Sequence, residues 1–166
     1  MKIRPNYFVI PLIVISVALL GNVITTMGMN WYNALELPSS TPQGWFIGMV
    51  WTIIFVLALI ASLLFWNKKL TLKFGSATVN RKSLAITILL IVNAALNVLW
   101  SGLFFGLHLI GWSIIEMIVL NLVNIALVVL FWKNYKTSAM LWLPYIIWVG
   151  FATYFAYIIF QWNVIV

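Results

Sequence analysis

The chain has 166 residues, 65% of them hydrophobic and only 7% charged, with a net charge of +7. So few charges cannot cover a water-soluble globule, and the long apolar runs make the class an all-α integral membrane protein. The absence of cysteine, a single histidine and only two acids exclude disulfides, thiolate chemistry and clustered metal ligands. The positive charge does not signal nucleic acid, because the basic residues fall between apolar runs, where they orient helices in a bilayer.

Lys2 and Arg4 precede the first apolar run, residues 8–27. Basic residues before an apolar run also begin a signal peptide, but this run is too long for one and no small-x-small cleavage site follows it. A retained helix is expected, with Pro11 tolerated in its first turns and Asn22 and Thr25 as polar positions near its far end. The next stretch, 28–44, holds Pro38 and Pro42, each of which fixes φ and removes a donor. Trp31, Tyr32 and Trp45 make this loop too apolar for water and suggest a lid over a site between membrane helices.

Four further runs follow at 45–66, 84–107, 110–132 and 139–161. Each has ~20–24 residues, enough to cross ~30 Å of hydrocarbon. Backbone in lipid must satisfy its own hydrogen bonds, so all five runs are expected to be helices of one bundle comprising the single domain 1–166. Basic residues occur at the N-terminus, in the connection carrying Lys68, Lys69, Lys73, Arg81 and Lys82, and at Lys133 and Lys136. The alternate connections have none, which predicts the N-terminus inside, the C-terminus outside and the lid on the outer face.

In the third span Asn93, Asn97, Trp100 and Phe104 form one stripe at helical spacing. Amides are costly in lipid, so this face should look into the bundle. Gly102 and Gly106 point the other way as a small-xxx-small motif, suited either to packing within the bundle or to the same helix of a second copy. Tyr145, Trp148, Ala152 and Phe155 share a broad face of the fifth span, and Gly48, Trp51, Thr52 and Phe55 one side of the second. Trp66, Trp132 and Trp142 at inner ends, with Trp45, Trp112 and Trp162 at outer ends, fit an interfacial aromatic belt. Trp51, Trp100 and Trp148 lie deeper, among small or polar residues, and are either core packing or the wall of a pocket for a flat apolar ligand. Glu116, the one charge within a span, is expected to hydrogen-bond another helix near the interface, with proton coupling as the alternative. His108 is read as a solvated turn residue rather than a haem or metal ligand.

The motifs also carry a resemblance. Trp31-Tyr32, Leu35, Pro38, Pro42, Trp45-Phe46 and Trp51 are followed by Ala95-Leu96-Asn97, Trp100, Phe104-Phe105-Gly106 and Gly111-Trp112. Glu116, Pro144-Tyr145, Trp148 and Phe151-Ala152-Thr153 complete the series. In this order they resemble the TspO/MBR family, the translocator or tryptophan-rich sensory proteins, over almost the whole chain. The chain departs from the family pattern at Gln43, where the family has a second proline, at Ile54-Phe55 for Leu-Tyr, at Asn93 for glutamine and at Phe155-Ala156 for Leu-Asn. Gln161 stands where eukaryotic members have arginine, so the sterol-associated pattern after Tyr157 is incomplete.

The resemblance implies a five-helix bundle, often a homodimer, with a pocket under the first loop for porphyrins and other hydrophobic ligands. It implies that Trp51 and Trp148 match tryptophans implicated in porphyrin breakdown, and that Ala152 is the small residue beside the pocket. The leading expectation is a binding and sensing protein for a planar ligand, a tetrapyrrole such as porphyrin or haem, with no cofactor required. Trp51, Trp100 and Trp148 would stack on the ligand, Asn93 and Asn97 would hydrogen-bond it, Phe55, Phe104, Tyr145, Ala152 and Phe155 would complete the wall, and Trp31 and Trp45 would cap it. Alternatives are a transporter of small hydrophobic molecules and a light- and oxygen-dependent porphyrin-degrading enzyme, whose chemistry spacing alone does not reveal. The charge asymmetry suits a bacterial inner membrane.

Overall fold

A computed structural model describes the backbone of residues 5–71 and 77–164 and the side chains of 5–68 and 81–163. Lys2, Arg4, Lys69 and Lys73, part of the basic pattern, lie outside the described side chains. The elements are α1 (Asn6–Tyr32), α2 (Gly44–Thr71), α3 (Ala77–Ser101) with a π-helical segment (Gly102–Gly106), α4 (Ile110–Asn134) and α5 (Lys136–Val164). No strand forms among the described residues. Each of the five helices contains a stretch long and apolar enough to cross a membrane, as expected from the apolar runs.

The helix ends run past the apolar runs for local reasons. Proline disfavours helix only at itself and the residue before it, so Pro38 leaves Asn30-Trp31-Tyr32 free to extend α1. The loop is therefore confined to 33–43. The π-helical segment closes α3 with a Leu107 N–H to Gly102 C=O bond of 2.8 Å. His108 then takes φ = 58°, which reverses the chain into α4. Between α4 and α5 only Tyr135 intervenes, its N–H donating to Phe131 C=O at 2.7 Å.

Packing runs round a closed ring: α1 beside α2, α2 beside α5, α5 beside α4, α4 beside α3, and α3 with its π segment back against α1. The dense side of the ring is α2–α5–α4. There Phe65 meets Phe131 and Tyr135 at ring separations of 5.7 and 4.9 Å, and Ser138 donates to the Ala61 carbonyl at 2.9 Å. The small residues Ala61 and Ala139, both fully buried, let the helices close on one another here. α1 is by contrast the least buried helix and α4 the most. Space is left on the α1 side, and the site lies there.

Candidate functional site

Of the two glycines of α1, Gly28 lies closer against a neighbouring element. A Cβ there would sit 2.3 Å from the Phe105 carbonyl oxygen, so the α1 backbone rests directly on the π segment. This contact explains why the segment departs from α-helix: the wider turn buries both Phe104 and Phe105 against α1. Gly106, on the same segment, faces Ile24 of α1 at 3.6 Å, while Gly102 has open space before it. Gly106 is exposed and touches α1 only at this ordinary van der Waals distance.

Beneath the loop, α1, α2, α3 and α5 enclose a cavity of about 870 Å³. Trp51, Trp100 and Trp148 meet in its wall. Trp51 stacks on Trp100 at 5.9 Å and meets Trp148 edge-on at 6.4 Å, and Trp100 continues the stack onto Phe104 at 5.9 Å. Phe55, Asn97, Ala152 and Phe155 also line the space, which is capped by Leu37, Thr41 and Pro42 of the loop. The indole N–H groups of Trp100 and Trp148 are buried and have no acceptor. An unpaired buried donor costs about 1–3 kcal/mol, so each is a local cost borne by the aromatic packing.

Two hydroxyls in the wall are already engaged. Thr26 and Thr52 donate to the carbonyls of Asn22 and Gly48 one turn back, each at 2.8 Å, which leaves the surface largely apolar. The exposed lining residues Asn22, Thr26 and Met29 on α1, and Gly44, Gly48 and Thr52 on α2, mark an opening between these two helices. Among the described residues, no lysine, arginine, aspartate or glutamate lines the cavity.

Several expected site residues stand elsewhere. Trp31 does not line the cavity; it stacks on His108 at 4.2 Å, on the far side of Phe104. Trp45 is 67% exposed, its indole N–H donating to the Gln43 side chain. Asn93 and Tyr145 lie below the cavity in a buried network with Asn97. Tyr145 Oη donates to Asn97 Oδ1 at 2.6 Å, Asn97 Nδ2 donates to the Asn93 carbonyl at 2.7 Å, and Asn93 Nδ2 donates to Asn124 Oδ1 at 2.9 Å. Trp142 Nε1 completes the network by donating to Asn124 Oδ1 at 2.8 Å. Trp142 is thus core rather than belt, only 2% exposed, whereas Trp45, Trp112, Trp132 and Trp162 are exposed near helix ends. Asn93 and Asn97, expected to hydrogen-bond a ligand, hold three helices together, and Asn97 also lines the cavity. Glu116 is buried, but neither carboxylate oxygen has a hydrogen-bond partner, so the expected bond to another helix is not made.

Sequence reasoning missed the contribution of α1 and of Tyr32, Phe105 and Phe151 to the cavity wall. It also missed the loop's anchor. Asn163 of α5 donates to the Glu36 carbonyl at 3.0 Å and accepts from the Glu36 N–H at 2.9 Å.

A bundle closed as 1–2–5–4–3 around a tryptophan-walled cavity can be set beside known proteins. The profile of the TspO/MBR family matches residues 9–162. The chain belongs to the TspO/MBR family. Among its relatives, protein CrtK of Rhodobacter capsulatus is 30% identical over 122 residues, covering 74% of this chain and 71% of the relative. The human translocator protein is 28% identical over 136 residues, covering 82% and 76%. The tryptophan-rich protein TspO of Bacillus cereus is 27% identical over 143 residues, covering 86% and 87%. As a member of this family with five membrane-crossing helices, the chain is an integral membrane protein, and its bacterial relatives agree with a bacterial membrane.

Proposed function

We propose that the chain binds a planar hydrophobic ligand of the tetrapyrrole class, porphyrin or haem, in the cavity under the loop, and that occupancy serves a sensory or regulatory role. The supporting observation is the convergence of Trp51, Trp100 and Trp148 around about 870 Å³, near the upper end of the usual range for small-molecule sites. Stacked indoles favour a flat ring system. With no cation in the wall, anionic substituents would stay at the opening between α1 and α2, near Asn22 and Thr25.

In this reading the loop faces the outer side, and the opening between α1 and α2 admits ligand from the lipid phase. Trp51 and Trp148, the pair that the family resemblance connects with porphyrin breakdown, would both touch the ligand. Glu116, the acid a coupled transporter would use, lies outside the cavity lining, which favours binding over coupled transport. Pairing of two copies at Gly102 belongs to the same reading and is checked by cross-linking in native membranes.

The test is protoporphyrin titration against intrinsic tryptophan fluorescence in detergent. Saturable quenching that weakens in Trp51→Phe and Trp148→Phe, and persists in Trp45→Phe, is expected. Quenching that never saturates, or that is equal in all three variants, would overturn the proposal.

A further inference from the structure

Asn22 and Thr25 are three residues apart on α1, so they share one face of the helix, and both line the tryptophan-walled cavity. Several other polar groups of that wall are spent within the protein. The hydroxyls of Thr26, Thr41, Thr52 and Ser101 donate to carbonyls of their own segments. The Asn97 amide donates to Asn93 and accepts from Tyr145. The side chains of Asn22 and Thr25, by contrast, make no hydrogen bond among the described residues. Those of Tyr32 and Asn33 are also unengaged, but they stand where α1 ends and the loop begins.

Depth sets the inner pair apart. Asn22 is ten residues in from Tyr32, about 15 Å along the helix at 1.5 Å per residue. It is exposed at the opening between α1 and α2, and Thr25 beside it is half-buried. Hydrocarbon offers an amide no partner at that depth, and leaving its donors and acceptor unmet is costly. The neighbouring exposed positions, Leu20, Val23 and Met27, are apolar, as lipid requires. An amide among them serves something polar that reaches the mouth of the cavity.

The donor set says what that group is within the tetrapyrrole class. Asn22 offers two N–H donors and one acceptor, and Thr25 an O–H donor. A carboxyl substituent has two oxygens to receive them, and a neutral one returns its own O–H to Asn22 Oδ1. Because no charged side chain lines the cavity among the described residues, neutral hydrogen bonds are what the wall can give such a group. An alkyl edge would leave every one of these atoms unmet.

We propose that Asn22 and Thr25 are the specificity-determining pair of this cavity: they hydrogen-bond a carboxyl of the bound macrocycle at the opening and so select carboxyl-bearing tetrapyrroles over those with alkyl edges alone. The inference rests on the proposed function, since it places a macrocycle in this cavity, and adds which edge of it is read and by which residues.

The experiment titrates two porphyrins against the tryptophan fluorescence of the full chain in detergent. Protoporphyrin carries carboxyls; etioporphyrin has the same macrocycle with methyl and ethyl substituents only. Asn22→Leu and Thr25→Val remove the polar atoms at nearly constant volume. Each should weaken protoporphyrin binding roughly five- to tenfold, the value of about one hydrogen bond, and leave etioporphyrin binding unchanged. Unchanged etioporphyrin binding also reports an intact cavity, and Thr25→Val carries the test should Asn22→Leu fail to fold. Equal weakening of both porphyrins would mean that the pair only shapes the wall. Protoporphyrin affinity unchanged in the folded variants would mean that no carboxyl meets it. Either result overturns the inference and leaves the proposed function standing, whereas no saturable quenching by either porphyrin in the wild type would remove both.

Discussion

The loop over the tryptophan-walled cavity is tied to α5 by one side chain that can be removed cleanly. Asn163 forms a reciprocal pair with the backbone of Glu36, donating at 3.0 Å and accepting at 2.9 Å, so it acts on the loop as a neighbouring strand would. Each such bond contributes about 0.5–1.5 kcal/mol net, so Asn163→Ala should weaken closure by about 1–3 kcal/mol. That corresponds to roughly 5- to 150-fold in the open–closed equilibrium. The fold should survive, because Leu35 and Leu37 still pack on the core and Pro38 is still buried. Asn163→Asp keeps the acceptor for Glu36 N–H and loses the donor, so it should fall between. The assay is stopped-flow dissociation of protoporphyrin, followed by fluorescence recovery on dilution. Dissociation should quicken in the order wild type, Asp, Ala, with little change in thermal midpoint. Equal rates in all three would show that the loop does not limit release and that the reasoning about its anchor is wrong.

Four other outcomes follow from the packing. Gly28→Ala places a Cβ 2.3 Å from the Phe105 carbonyl and should destabilise by about 1–3 kcal/mol, whereas Gly48→Ala, with open space before it, should be neutral in thermal melts. Gly48→Leu should fold normally but slow porphyrin association, because the side chain enters the opening between α1 and α2; an unchanged on-rate would place the access route elsewhere. Asn124→Leu strands the Asn93 amide and the Trp142 indole N–H, two buried donors, while removing the unpartnered Asn124 Nδ2, and should cost a net of roughly 1–3 kcal/mol in chemical unfolding. Glu116→Met removes a buried carboxyl with no hydrogen-bond partner and should raise stability by about 1–3 kcal/mol without altering porphyrin affinity, since Glu116 does not line the cavity; a loss of either would give the acid a role in the ligand's path.

The membrane architecture was legible because lipid leaves the backbone few options: a run of some twenty apolar residues becomes a helix, and five such runs must bury their polar faces together. The depth of Trp51, Trp100 and Trp148 within their spans was enough to bring them into one wall. What periodicity did not reveal was which polar residues would find each other. Asn93 and Asn97 share a stripe with Trp100, yet Asn124 on α4 and Trp142 on α5 claim their amides, and neither partner is marked by spacing along α3. Trp142 looked like an interfacial ring because it lies near an end of its apolar run; α5 begins at Lys136 and draws it inside. The prolines that follow Trp31 make it look like part of the lid, but α1 extends to Tyr32 and carries Trp31 to the His108 turn. In each case a long-range partner, invisible to local pattern, decided the outcome.

The most direct test of the central claim is a structure of the chain with protoporphyrin bound. The account predicts one macrocycle in the tryptophan-walled cavity, in contact with Trp51, Trp100 and Trp148, with the loop closed over it. Porphyrin density on the lipid-facing surface, with the tryptophan-walled cavity holding no macrocycle, would contradict it.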